Sequence, residues 1–148
     1  MDRQFDRRQF LAFSMAVLLA RPALASGDVI EVHKSPTCGC CGMWIEHLRA
    51  NGFDVKVHDT TASRANFGVP QALGSCHTAR VGGYLVEGHV PARDIQRLLR
   101  ERPTAAGLAV PGMRQGSPGM ETGVKDSYEV LLFQPNGHYV VFQRYGAR

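Results

Sequence analysis

Residues 29–44 decide the fold, and they read Val29-Ile-Glu-Val-His-Lys-Ser-Pro-Thr-Cys-Gly-Cys-Cys-Gly-Met-Trp44. The β-branched run of residues 29–33 ends at Ser35-Pro36, which predicts a strand that enters a loop. Three cysteines follow within four residues. From residue 43 to residue 50 the apolar positions recur at helical spacing, and Asn51-Gly52 is a typical helix end. The stretch therefore predicts a strand, a cysteine-bearing turn and a helix over residues 43–50.

The next segments predict the rest of a small mixed sheet. A second strand is expected over residues 54–58, so that the first three elements form a βαβ unit. Strands over residues 78–81 and 84–87 are joined through Gly82-Gly83, which is a hairpin signal. A helix is expected to begin at Pro91 and to end at Arg102-Pro103. The order βαβ followed by ββα predicts the α/β class with a thioredoxin-like mixed sheet.

The C-terminal part combines a long irregular segment with a hairpin. Residues 104–127 show no convincing period and contain Pro111-Gly-Met113 and Pro118-Gly-Met120. Irregular segments of this length in a compact domain are usually functional or disordered. Residues 128–134 and 138–145 flank Pro135-Asn-Gly137, which predicts a β-hairpin that extends or covers the sheet.

The N-terminal 25 residues have the features of a signal peptide. Paired arginines precede an apolar run over residues 10–20, and Ala23-Leu-Ala25 is a small-x-small cleavage signal. The run has about half of the ~20 residues that a membrane-spanning helix needs, so we expect no stable membrane insertion after cleavage. Residues 6–12 resemble a twin-arginine export signal without its frequent Lys, which leaves ordinary export as the alternative. The expected mature domain is residues 26–148, in the periplasm.

Composition and charge favour one globular domain without a nucleic-acid partner. The chain has 148 residues, of which 44% are apolar and 20% are charged. Its formal charge of +4 falls to +2 without the four Arg and two Asp of the predicted signal peptide. The arginines nearest to a basic patch lie on the predicted second helix and are Arg93, Arg97, Arg100 and Arg102. They have no interleaved aromatic residue, which is typical of a solvated helix face and not of a nucleic-acid site.

The four cysteines are the candidate site. Cys38, Cys40 and Cys41 lie at a strand-to-helix turn, where backbone N–H groups and the helix dipole stabilise thiolates. Cys76 stands in Gly74-Ser-Cys-His77, just before the third strand. In a thioredoxin-like topology this junction lies beside the first strand-to-helix turn, so that all four sulfurs are expected to converge.

Four thiolates indicate a soft metal ion. They suit Cu(I) best, and Zn²⁺ or an iron–sulfur cluster next. The adjacent Cys40 and Cys41 tend to point in different directions, so a single tetrahedral Zn²⁺ ion fits poorly. A polynuclear cluster with bridging thiolates fits better. We therefore expect a Cu(I) site, with a copper–thiolate cluster as one arrangement of it.

Two other interpretations of the cysteines remain open. Cys38 and Cys41 have the C-x-x-C spacing of a thiol–disulfide oxidoreductase, with Cys38 as the nucleophile and Cys41 as the resolving thiol. Such an enzyme has no need of Cys40. Alternatively, the four cysteines form two structural disulfides, as is common in exported proteins.

Neighbouring side chains are candidates for the same site. His77 is a candidate ligand or a hydrogen-bond donor to a ligand, and Met43 is a candidate ligand or a core residue. Met113 and Met120 either cap the metal or pack on the domain, and His89 is undecided. Trp44 is expected in the core. The remaining histidines are expected at the surface or at strand edges; they are His33, His47, His58 and His138.

Four segments of the sequence resemble the CopG-type copper-resistance proteins, a family of small periplasmic metal-binding domains. The resemblance covers nearly all of the expected mature chain. The segments are Ser35-Pro-Thr-Cys-Gly-Cys-Cys-Gly-Met-Trp44, Ser75-Cys-His-Thr-Ala79, Gly83-Tyr-Leu-Val-Glu-Gly-His-Val-Pro91 and Gly107-Leu-Ala-Val-Pro-Gly-Met113.

The resemblance implies a thioredoxin-like domain that binds a copper–thiolate cluster and helps the cell envelope to withstand copper. Carried over residue by residue, the ligands would be Cys38, Cys40, Cys41 and Cys76. Oxidation of Cu(I) to Cu(II) by electron transfer is an extension of this function. The implied partners are copper ions and envelope copper-efflux or chaperone proteins, and a metallochaperone that delivers copper to such a protein is a further alternative.

Overall fold

The structure is a computed structural model that describes residues 28–60 and 64–146, with the backbone alone for residues 64 and 65. The predicted signal peptide, residues 1–25, lies outside the described residues. No helix in the described part of the chain is long and apolar enough to cross a membrane.

The described residues form one seven-stranded mixed sheet and two α-helices. The strands follow the order β2-β1-β3-β4-β5-β6-β7 across the sheet. The pairs β1–β2 and β4–β5 are parallel, and the other neighbours are antiparallel. The predicted α/β class and the order βαβ followed by ββα are confirmed. The elements are β1 Val29–Lys34, α1 Gly39–Ala50, β2 Asp54–Asp59, β3 His77–Val81, β4 Tyr84–Glu87, α2 Ala92–Glu101, β5 Gly107–Ala109, β6 Tyr128–Phe133 and β7 Tyr139–Tyr145, with short 3₁₀ turns at Arg64–Phe67 and Gln71–Leu73.

Helix α1 begins earlier than the sequence pattern predicts. The expected start at Met43 is wrong, because the helix begins at Gly39, directly after an extended N-cap residue, Cys38 (φ −81°, ψ 97°). Glycine and cysteine carry no apolar periodicity, so the first turn gives no helical signal in the sequence. As a consequence, Cys40 and Cys41 lie in the first turn of the helix, beside its free N–H groups.

The segment of residues 104–127 contains a strand that the sequence pattern does not indicate. Strand β5 is three residues long, fully buried, and lies between β4 and β6. Only glycine fits at Gly107, because a Cβ there would lie 1.9 Å from the carbonyl oxygen of Leu85. Through β5 the predicted C-terminal hairpin joins the sheet and extends it.

The two faces of the sheet are packed differently. On one face, α1 and α2 pack on β1 through a large apolar cluster that includes Trp44, Leu98 and Ile30. A smaller apolar cluster surrounds Phe133 and includes Ala109, whereas Leu108, the residue before Ala109 in β5, belongs to the large cluster. Because successive residues of a strand point to opposite faces, the two clusters lie on opposite faces of the sheet. The core position predicted for Trp44 is confirmed, and its indole N–H donates to the carbonyl oxygen of Val90 at 2.8 Å.

Gly88, between β4 and α2, provides a test of how the loop before β3 is held. Its φ is +73°, and an added Cβ would lie 2.6 Å from both the Cβ of Ser75 and the carbonyl oxygen of Val110. Gly123 also has a positive φ, +89°, but an added Cβ there would contact nothing within 4 Å. A left-handed alanine costs about 1–2 kcal/mol at either position, and overpacking adds about 1–3 kcal/mol at Gly88 alone.

We therefore expect Gly88→Ala to lower the free energy of unfolding by at least about 1 kcal/mol more than the matched control Gly123→Ala. Urea denaturation of the two variants measures the difference. Equal losses would show that the close contacts of Gly88 do not constrain the loop that carries Ser75.

Candidate metal centre

The pairing of β1 with β3 brings the four cysteines to one end of the sheet. In this antiparallel pair Lys34, the last residue of β1, lies opposite His77, the first residue of β3. The chain leaves β1 into the turn that carries Cys38 and the first turn of α1, and it enters β3 directly after Cys76. The predicted convergence of the cysteines follows from this register.

The four sulfur atoms form a closed group. Cys38 and Cys41 are joined by a disulfide bond, and Cys40 and Cys76 are free thiols. The sulfur of Cys76 lies 3.6 Å from that of Cys41 and 3.9 Å from that of Cys40, which in turn lies 3.5 Å from that of Cys38. A tetrahedral ion with metal–sulfur bonds of ~2.3 Å separates its sulfur ligands by roughly 3.8 Å. The non-bonded separations therefore match those around a metal ion.

The arrangement corrects two expectations about the cysteines. Two structural disulfides are not formed, because Cys38–Cys41 is the one disulfide among the described residues. The adjacent Cys40 and Cys41 both reach the sulfur of Cys76, although neighbouring side chains on a helix point in different directions. Cys76 comes from another element and lies within reach of both. Reduction of the disulfide bond would give four free thiols in this group.

His89 is part of the site, although the sequence left it undecided. Its Nε2 lies 3.2 Å from the sulfur of Cys76, and its Nδ1 lies 2.7 Å from the carbonyl oxygen of Pro118. Because a carbonyl only accepts, Nδ1 carries the proton and the lone pair of Nε2 faces the sulfur. This is the form in which histidine binds a metal ion. The hairpin register could have revealed it, because Thr78 pairs with Glu87, and extending that register places residue 89 opposite residue 76.

His77 lies beside Cys76 and is almost completely buried. Its Nδ1 is 3.2 Å from the sulfur of Cys76, and its ring packs on Trp44 at 4.3 Å between centroids. Burial, with a smaller effect of His89, lowers the pKa of His77 to about 3, so the ring is neutral at pH 7. Its Nε2 has no hydrogen-bond partner within residues 28–60 and 64–146. The tautomer with its proton on Nδ1 donates to the sulfur of Cys76, and the other tautomer accepts from the thiol.

Cys76 itself is held as a neutral thiol when no cation is near. Burial is the main cause, followed by the neighbouring Cys40, and together they raise the pKa of Cys76 to about 12 from 9.0. The other side of the sulfur group is the N-terminal turn of α1, which carries Cys40 and Cys41. A cation that binds between these groups must displace the proton of Cys76.

Glu87, at the end of β4, fixes the backbone around Cys76, and the sequence pattern does not predict this role. The residue is completely buried. Its carboxylate accepts a hydrogen bond from the N–H of Ser75 at 2.6 Å and one from the hydroxyl of Thr78 at 2.5 Å. These two partners flank Cys76 and His77. A buried charged residue in a strand is uncommon, but nothing in its sequence context distinguishes it from a solvated strand end.

The two Pro-Gly-Met tripeptides contact the site from the loop. In the first, the carbonyl oxygen of Gly112 accepts a hydrogen bond from Ser75 Oγ at 2.7 Å. In the second, the carbonyl oxygen of Pro118 holds His89. Gly119 approaches α1 so closely that a Cβ would lie 2.8 Å from the backbone N of Trp44. The irregular segment therefore has a defined position beside the cysteines.

The methionines differ in their surroundings. Met43 is 55% exposed on α1, so its alternative role as a core residue is wrong. Met113 is 43% exposed, and its sulfur lies 3.9 Å from Ser75 Oγ, next to Cys76 in the chain. Met120 is partly buried, and its backbone carbonyl oxygen accepts from the N–H of Gly116. Among the three methionines, Met113 is therefore the one whose sulfur contacts a residue adjacent to Cys76.

Comparisons with known proteins identify the family of this chain. The family model described as "Protein of unknown function, DUF411" matches residues 73–120. Two solved structures described as copper resistance protein CopG, forms 2 and 1, are 48% identical to this chain, with TM-scores of 0.76 and 0.75. Each match covers 80% of this chain and 98% of the solved one. No curated protein sequence matches. The chain belongs to the CopG copper-resistance family.

Proposed function

We propose that this protein binds Cu(I) through the thiolates of Cys38, Cys40, Cys41 and Cys76. The observation that carries the proposal is the group of four sulfurs, which all lie within 4.8 Å of one another and make non-bonded contacts of 3.5, 3.6 and 3.9 Å. Thiolates are soft ligands and favour Cu(I) over harder ions. The solved relatives are named for copper resistance, which supports copper over Zn²⁺ as the ion. Copper is the cargo in this function.

We favour a multinuclear arrangement over a single ion. The sulfur of Cys76 lies near those of both Cys40 and Cys41, and the sulfur of Cys38 is bonded to that of Cys41 and lies 3.5 Å from that of Cys40. A thiolate in the middle of such a group can bridge two copper ions. We assign the bridging position to Cys76, with His89 Nε2 as an additional ligand and His77 Nδ1–H as a donor to the sulfur.

Copper loading requires reduction of the disulfide bond. Two electrons and two protons convert Cys38–Cys41 into two thiols, so a reducing partner must act before all four thiolates bind copper. Export of the folded protein by a twin-arginine route would let the reducing cytoplasm supply this state. We propose on this basis that residues 1–25 direct the protein to the periplasm, where copper-efflux or chaperone proteins are its candidate partners.

The Cys38–Cys41 disulfide favours a second candidate function, thiol–disulfide exchange. The bond lies at the N-terminus of α1, as the C-x-x-C motif of an oxidoreductase does. In such an enzyme Cys38 attacks the substrate disulfide and Cys41 resolves the mixed disulfide. This chemistry does not need Cys76, so replacing Cys76 separates the two functions.

Replacing Cys76 with Ser tests the copper site. We expect Cys76→Ser to lower the Cu(I) affinity of the reduced chain by roughly 100-fold or more and to reduce the number of coppers per chain, because a bridging ligand is lost. An anaerobic Cu(I) titration against a competing chelator measures both quantities. His138→Asn, in the exposed turn between β6 and β7, is the control and should bind like the unaltered chain.

Unchanged copper binding by Cys76→Ser would contradict the proposal. If that variant also retained full disulfide exchange with a model substrate, oxidoreduction through Cys38 and Cys41 would be the better account. The near-ultraviolet circular dichroism of the buried Trp44 checks that the variant is folded.

The raised pKa of Cys76 predicts how copper binding depends on pH. The thiol stays protonated up to a pH of about 12, so Cu(I) must release its proton at any pH near neutrality. The apparent Cu(I) affinity should therefore rise by about tenfold per pH unit for each proton displaced. Because the pKa of Cys76 is raised above 9.0, its proton should still contribute to this slope above pH 9.0. Chelator competition over a pH series measures this slope. A slope that does not fall in Cys76→Ser would contradict the assignment.

A further inference from the structure

Three metal-binding side chains lie together on β1 and β2, away from the cysteines. His33 of β1 and His58 of β2 are direct partners in the parallel register. Glu31 is two residues before His33 and therefore on the same face of β1. One ligand atom from each of the three side chains lies within 4.8 Å of the other two. The register of the strands fixes the backbone positions of the two histidines, and their rotamers set the distances between the ligand atoms.

The cluster is on the opposite face of the sheet from the helices. Val32, between Glu31 and His33, is completely buried in the large apolar cluster with α1 and α2. Successive residues of a strand point to opposite faces, so Glu31 and His33 face away from the helices. The sulfur of Cys41 belongs to α1, on the helical side. The two candidate metal positions are therefore separate.

The three side chains are available to a cation. Glu31 has no hydrogen bond or ion pair from its side chain within residues 28–60 and 64–146. Two cationic residues lie opposite Glu31, Lys56 on β2 and Arg80 on β3, and the guanidinium of Arg80 lies over the ring of Phe67 at 5.3 Å.

Binding requires one side chain to turn. The rings of His33 and His58 are stacked, with centroids 4.7 Å apart and an angle of 13° between their planes. Two parallel rings cannot both point a nitrogen at one ion. His33 is held on its other side by Phe67 at 4.6 Å, whereas His58 is exposed. His58 is therefore the ring that turns, between ordinary rotamers.

We propose that Glu31, His33 and His58 form a second metal site, for a divalent transition-metal ion, with Cu²⁺ as the preferred ion. Two imidazole nitrogens and one carboxylate oxygen are harder donors than thiolates, so they favour divalent ions over Cu(I). Among the divalent first-row ions, such donors bind Cu²⁺ most tightly. The protein would thus bind Cu(I) at the cysteine end of the sheet and Cu²⁺ on the face away from the helices. The site does not depend on the function proposed for the cysteines.

The test uses Cys40→Ser/Cys76→Ser, which keeps the Cys38–Cys41 disulfide and has no free thiol that would reduce Cu²⁺. In this background we expect one Cu²⁺ ion per chain, with nitrogen hyperfine structure in its electron paramagnetic resonance spectrum. Adding His58→Asn should lower the Cu²⁺ affinity by roughly tenfold or more, and adding His138→Asn should leave it unchanged. Because the thiolate site is absent, this result is independent of Cu(I) binding.

Equal Cu²⁺ affinities of the His58→Asn and His138→Asn chains would overturn the proposal, and so would binding that does not saturate. If the double serine variant does not fold, the unaltered chain is titrated with Zn²⁺ and the ring signals of its histidines are followed by nuclear magnetic resonance. Selective shifts of His33 and His58 support the site, and shifts confined to His77 and His89 overturn it.

Discussion

The antiparallel pairing of β1 with β3 is the interaction on which the rest of the site depends. It sets the end of β1, and hence the first turn of α1, opposite the residue that follows Cys76. Three features then hold Cys76 in place: the carboxylate of Glu87, the close approach of Gly88 to Ser75, and the imidazole of His89. The cysteines converge because the sheet brings their backbones together, before any side chain is adjusted.

The site collects groups that are uncharged at neutral pH. Cys76 is a neutral thiol, His77 is a neutral imidazole, and Cys38 and Cys41 share a covalent bond. Burying neutral groups costs much less free energy than burying thiolates without a counter-ion. When Cu(I) displaces thiol protons, the incoming positive charge offsets negative charge that deprotonation leaves on the sulfurs. The partly buried Cys76 can therefore stay in place both with and without copper.

The sequence predicts the elements well where a periodic pattern or a turn motif exists. The hairpins at Gly82-Gly83 and Pro135-Asn-Gly137 form as expected. The start of α1 is missed because residues 39–42 show no apolar periodicity. Strand β5 is missed because three consecutive buried residues are too few to show a periodic pattern. These errors are local, and they leave the topology unchanged.

For the site, the sequence identifies the four cysteines but not what surrounds them. Cys38, Cys40, Cys41 and Cys76 stand out by number and spacing alone. The contribution of His89 depends on strand register, and that of Glu87 depends on two partners in another strand and its preceding loop. The position of Pro118 against His89 depends on the path of an irregular loop. Such contacts are set by tertiary packing, which a single-sequence pattern does not contain.

X-ray absorption at the copper edge of the reduced, Cu(I)-loaded chain tests the central claim most directly. The sulfur group predicts a first coordination shell dominated by sulfur, with a minor nitrogen contribution from His89, and a short copper–copper distance if Cys76 bridges two ions. A first shell of nitrogen and oxygen alone would contradict the account, because copper would then bind outside the four cysteines.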